Sequence, residues 1–83
     1  MEHIIIQLYV PAIGENFDLK IPLSMLILDL VKLLGQAVET LSNGRYCASG
    51  KEILCLKDKE QILDYDQTPQ DYGMQNGDLL LMM

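Results

Sequence analysis

The chain has no tryptophan, one phenylalanine, one histidine and two cysteines among its 83 residues. Cys47 and Cys55 cannot build the multi-bridge framework of a small secreted domain, so reduced thiols in a cytoplasmic protein are expected. Basic residues are scarce too: six Lys and Arg stand against twelve Asp and Glu, a net charge of −6, and the bases nowhere cluster. Nucleic acid binding needs a basic footprint to neutralise phosphates, which argues against that class. Anionic membrane surfaces would repel the chain. No apolar run is long enough to cross a bilayer, because the longest, over residues 23–34, is broken by Asp29 and Lys32. Glu2 places an acid where a secretory signal starts with positive charge.

What is present is ample apolar residue, 49% of the chain, with 22% charged residues. That balance belongs to a folded domain with one modest core, and the expected organisation is a single domain over residues 1–83. "IIIQLYV" (4–10) is β-branched and apolar, and Pro11 and Gly14 end it. "FDLKI" (17–21) alternates, which sends Phe17, Leu19 and Ile21 to a core and Asp18 and Lys20 to water. The period then becomes helical over residues 26–41. Ile27, Leu30, Val31, Leu34, Val38 and Leu41 fall on one stripe, and Asn43-Gly44 is a stop signal. Gly35 costs such a helix about 1 kcal/mol relative to alanine. Beyond a polar connection (42–52), "ILCLK" is a short strand with Leu54 and Leu56 inward. Ile62 and Leu63 form a brief return, and residues 79–83 form the last strand. The order implies an α+β fold, one helix laid across a mixed sheet of roughly four or five strands.

The motifs that would signal chemistry fail on inspection. "SGKE" (49–52) is not a phosphate loop: five residues separate Gly44 from Gly50, and Glu52 replaces the Ser or Thr that holds the metal. The oxygens of Asp64, Asp66 and Thr68 resemble the start of a calcium loop, yet Pro69 stands where glycine is needed and Gln75 where the closing glutamate belongs. His3, Cys47 and Cys55 match no zinc spacing, and His3 alone is thin support for a cysteine nucleophile. The expectation is therefore no catalytic residue, no metal and no cofactor.

The closing segment "TPQDYGMQNGDLLLM" resembles the signature of the ubiquitin-like (β-grasp) superfamily. Asp71-Tyr72 match its tight 3₁₀ turn, Met74 the apolar residue after it, and Leu79 and Leu81 the inward positions of the last strand. "FDLKIPLSMLILDLVKLL" matches its second strand and helix. Pro69 departs from the leucine usual there, which puts the packing beneath the turn in question. Modifiers and sulfur carriers of this superfamily end in a flexible Gly-Gly tail, whereas this sequence reaches Met83 on the strand itself. The resemblance therefore implies a non-covalent protein-binding module. The alternative is a modifier whose Gly-Gly tail lies beyond Met83. Within the superfamily the chain is most similar to the YukD/EsaB family of Gram-positive type VII (ESX-like) secretion systems. The match rests on Pro22, Ile27 and Leu30 at the helix start and on Asp71, Tyr72, Asn76, Gly77, Asp78 and Leu80 at the end. Membership would imply an accessory role in protein transport, with membrane-embedded or pseudokinase-like secretion subunits as partners, or a homodimer, and no membrane insertion.

Two surfaces are candidates for contact. If Leu79, Leu81 and Met83 point inward, alternation sends Leu80 and Met82 out, joined on the sheet's outer face by Ile5, Tyr9 and Cys55. Ubiquitin's main recognition patch occupies the corresponding face. The second is the helix flank of Leu26, Leu33 and Ala37, which widens the apolar arc beyond the roughly 100° a surface helix needs. The 42–52 connection is the segment that would cover that flank in a purely structural reading.

Overall fold

The structure, a computed structural model, describes residues 2–83. Two antiparallel strands, β1 (His3–Val10) and β2 (Glu15–Pro22), open the fold. They are followed by a helix, α1 (Ile27–Leu41), a short strand, β3 (Leu54–Leu56), its partner β4 (Gln61–Ile62), and the last strand, β5 (Leu79–Met82). The sheet order is β2-β1-β5-β3-β4, with β5 parallel to β1 and antiparallel to β3. This is the mixed five-stranded sheet on one helix that the element order implies.

β1 is almost wholly apolar, yet it alternates cleanly in burial. Ile4, Ile6, Leu8 and Val10 enter the core, while Ile5 stays 55% exposed. In β2, Ile21 is buried and Phe17 and Leu19 are half-buried, because β2 is an edge strand with nothing beyond it. Ile27, Leu30, Val31, Leu34 and Val38 bury the expected stripe of α1. Leu41 does not follow them: it is 55% exposed, because the last turn of α1 runs past the edge of the core.

The helix has no capping side chain at its start. Leu26 holds the N-cap in an extended conformation, and the first amides bond instead to the stretch between β4 and the Pro69–Tyr72 turn. Ile27 and Leu28 donate to the carbonyls of Gln67 and Tyr65 at 2.8 and 3.0 Å. At the other end Asn43 and Gly44 adopt positive φ, and the Gly44 amide returns to the Glu39 carbonyl, as the stop signal requires. The 3₁₀ turn Pro69–Tyr72 carries a reciprocal capping box between Thr68 and Asp71. Pro69 is buried at its first position, where its missing N–H costs nothing, so the turn packs despite departing from leucine. The Tyr72 hydroxyl accepts the Asp64 amide at 2.8 Å.

The last strand reverses the expected phase. Leu80 and Met82 are completely buried, and Leu79, Leu81 and Met83 face outward. Partners across a sheet share a face, and Leu80 lies opposite Leu8 and Leu56, with Met82 opposite Leu54, all core residues. The turn before β5 sets this register. The Asn76 side chain accepts the Ile5 amide at 2.8 Å, the Gly77 amide donates to the Ile5 carbonyl, and Gln7 donates to the Asp78 carbonyl. Gly77 has φ +89°, a conformation that favours glycine.

The connection 42–52 is a strap held by one buried carboxylate. Glu52 is 4% exposed and accepts the Tyr46 hydroxyl at 2.6 Å and the Ser49 and Gly50 amides at 2.9 Å each. Glu39 accepts the Ala48 amide, and Ser42 accepts that of Tyr46. Ala48 thereby rests on Gly35: a Cβ added at Gly35 would stand 2.9 Å from the Ala48 Cβ. The mid-helix glycine is thus a packing requirement. Gly35→Ala should destabilise the domain by about 1–2 kcal/mol, even though alanine is the better helix former. Adding Ala48→Gly should recover most of the loss, as read by urea unfolding of the single and double variants.

Candidate functional site

The outer face of the sheet, opposite α1, carries a row of apolar side chains set in register by four strands. Tyr9 of β1 lies opposite Leu81 of β5, Leu81 opposite Cys55 of β3, and Cys55 opposite Ile62 of β4. Adjacent strands are about 4.8 Å apart, so the row crosses roughly 14 Å of surface. Ile53 and Met83 extend it. They flank the inward Leu54 and Met82, exchange backbone hydrogen bonds of 2.8 and 2.9 Å, and are both exposed. Ile62, at 61% exposure, is the most open member. Gln7, beside Leu79, and the β2 residues Asn16, Asp18 and Lys20 form the polar margin on the β1 side.

Of the five residues expected on this face, Ile5, Tyr9 and Cys55 are there. Leu80 and Met82 are not: they belong to the core, and Leu79, Leu81 and Met83 take their places. Ile53 and Ile62 escaped the sequence reading. The inward phase of Leu54 and Leu56 already implied that Ile53 faces out, whereas Ile62 needed the pairing of β3 with β4. The second expected surface is also open. Leu26 and Leu33 are exposed and Ala37 is half-buried, with Leu41 prolonging the strip. The 42–52 strap does not cover it, because Ala48 packs on Gly35, on the other side of the helix from Leu33.

Charged side chains are peripheral to both surfaces. The two ionisable groups that depart from ordinary behaviour lie in the strap. Burial, and then the neighbouring Glu52 carboxylate, push the Tyr46 hydroxyl well above its usual range. Burial alone would raise Glu52 as well, but the Tyr46 hydroxyl and the Ser49 and Gly50 amides stabilise the carboxylate and hold it below the ordinary range. Arg45 pairs with Glu15 across the start of β2. Among the described residues no three His, Cys, Asp or Glu side chains gather as metal ligands, so His3, Cys47 and Cys55 stay apart. Both thiols are unpaired. No helix among the described residues is long and apolar enough to cross a membrane.

No protein family and no curated protein matches the sequence itself. Solved structures do match the fold. The ubiquitin-like domain of an Arabidopsis thaliana protein superposes with a TM-score of 0.76 at 14% identity, over 100% of this chain and 78% of its own. The UBL domain of Plasmodium falciparum Dsk2 gives 0.71 at 20% identity, over 99% and 100%. A designed protein based on ubiquitin gives 0.71 at 12% identity, over 98% and 87%. With its five-stranded mixed sheet wrapped on a single helix, the chain has the ubiquitin-like β-grasp fold.

Proposed function

We propose that this domain is a non-covalent protein-binding module, and that it works by contact through its outer sheet face, without catalysis. The observation that carries the reading is the Tyr9–Leu81–Cys55–Ile62 row, contiguous across four strands and prolonged by Ile53 and Met83. A continuous apolar surface on a chain of net charge −6 is a recognition feature, since scattered apolar residues would not line up in register. Tyr9 adds a large, rigid contact at little entropic cost, and Met83 an adaptable one. The sheet holds the row rigid, so binding orders few side chains.

The narrower setting we propose is an accessory role in a type VII secretion system in the cytoplasm, with a secretion subunit as the partner. Its support is the sequence resemblance at Pro22, Ile27, Leu30, Asp71, Tyr72 and the Asn76–Asp78 turn. Capture from lysate of a cell that encodes such a system, with mass spectrometry of what is retained, tests both levels. Ile62→Asp should fold normally and lose the captured protein, because a charge would have to be desolvated in the contact. Retention of the same partner by Ile62→Asp would move the binding surface elsewhere. Recovery of partners with no secretion component would leave the binding reading standing and remove the narrower one.

A further inference from the structure

The free edge of the sheet is patterned for a copy of itself. In β1 the Ile5 and Gln7 amides are directed at the β5 side, to Asn76 and Asp78, which leaves the even-numbered residues of β1 to bond to β2. The Leu23 amide donates to the Glu2 carbonyl at 2.9 Å, in the same register as the Ile4–Ile21 and Ile6–Leu19 pairs. The odd-numbered residues of β2 therefore bond inward. The N–H and C=O groups of Asp18 and Lys20 point off the edge, and both side chains are exposed. Between them Leu19 is only half-buried, as is Phe17.

We propose that β2 pairs antiparallel with β2 of a second copy of this chain, about a two-fold axis at Leu19, so that Asp18 of each copy lies opposite Lys20 of the other. Proteins ordinarily guard an open edge with charge, because a like charge set opposite blocks pairing. Here the two charges have opposite sign and stand two residues apart. An isologous antiparallel pairing centred between them makes both contacts attractive. In that register Asp18 and Lys20 each exchange both backbone hydrogen bonds with the other copy. On the core side Leu19 meets Leu19, and Phe17 lies across from the already buried Ile21, so the pairing covers the apolar surface that Leu19 and Phe17 leave open. Pro22 has no N–H and ends the ladder. The axis is perpendicular to the sheet, so both outer faces lie on one side of a ten-stranded sheet, and two copies of the proposed contact surface point the same way. Repulsion between chains of net charge −6 keeps the pairing weak and concentration-dependent.

Sedimentation equilibrium of the full chain at about 0.15 M salt, up to ~1 mM protein, tests this. The wild type should show a dimer fraction that grows with concentration, with the Asp18 and Lys20 amides slowing in hydrogen exchange over the same range. Asp18→Lys and Lys20→Asp should each weaken association about tenfold, and the double exchange should restore it to within roughly threefold. The charge arithmetic makes Asp18→Lys diagnostic. It reduces the net negative charge, so if only overall repulsion mattered it would strengthen association. Both side chains are exposed, so each variant should fold, which circular dichroism checks. A chain that stays monomeric at ~1 mM overturns the proposal and leaves the edge to a segment of another protein. So does a dimer abolished by Leu81→Asp yet indifferent to Asp18→Lys, which would place the second copy on the outer face, or a double exchange that fails to restore.

Discussion

Leu80→Asp should abolish folding at room temperature, while Leu81→Asp, one residue along the same strand, should leave a folded domain that has lost the proposed binding. Leu80 is fully buried between Leu8 of β1 and Leu56 of β3, at the centre of the sheet. A carboxylate placed there has no hydrogen-bond donor to receive it, since the surrounding amides are already spent on the ladders. It must either ionise in an apolar interior or bind a proton to avoid doing so, and the leucine packing is lost in both cases. The cost is about 4 kcal/mol or more, comparable with the whole stability expected of a domain this small. Leu81 has equally apolar neighbours along the chain but points away from the core, opposite Tyr9 and Cys55, and is half-buried. Its replacement should change stability by no more than about 1 kcal/mol. Thermal melts by circular dichroism, with partner capture alongside, read both variants. A folded Leu80→Asp would place β5 one residue out of register.

The second large effect is expected at Glu52. Removing its carboxylate in Glu52→Ala leaves the Tyr46 hydroxyl and the Ser49 and Gly50 amides without their common acceptor. Hydrogen bonds to an ionised group are the stronger kind, and part-buried donors stranded by its loss keep their desolvation cost. A loss of about 3 kcal/mol in urea unfolding is expected, with amide exchange in residues 45–51 accelerated more than in the sheet. Glu52→Gln should be milder, because the amide oxygen still accepts while its NH₂ faces donors. The same contacts give a direction in pH. The carboxyl of Glu52 is held below its unfolded value, so its contribution is fully present above the ordinary glutamate range, near about 4.3, and fades as pH falls through the folded value. Unfolding free energy followed from pH 7 downward should therefore decline less steeply in Glu52→Gln than in the wild type. Equal slopes would mean that Glu52 carries no linkage.

How much of this protein was legible depends on whether each residue's neighbours along the chain disagree with it in polarity. In β2 they do: Asp18 and Lys20 alternate with Phe17, Leu19 and Ile21, and the faces follow from the residues alone. In α1 the 3.6-residue stripe predicts five of six inward positions, and only Leu41, beyond the edge of the core, departs. The stop at Asn43-Gly44 and the Asp71-Tyr72 turn were equally local, because backbone conformation there depends on the residue types themselves. β5 offered no such contrast. Five apolar residues in a row are compatible with either phase, and the choice fell to hydrogen bonds that Asn76 and Asp78 accept from β1 amides and that Gly77 donates to a β1 carbonyl, partners some seventy residues away. The period placed the start of α1, but its capping was hidden for a similar reason, since its caps are the carbonyls of Tyr65 and Gln67 rather than a side chain next to Leu26. Nothing in the sequence sets Glu52 apart from the other eleven acids as a buried residue; only the folded strap makes it a buried acceptor. Composition, period and turn chemistry thus determined the fold, because each is a local preference repeated along the chain. The outward face of the last strand, and with it the membership of the proposed contact surface, was a tertiary decision, because a two-residue period in a uniformly apolar strand has no phase until another strand supplies one.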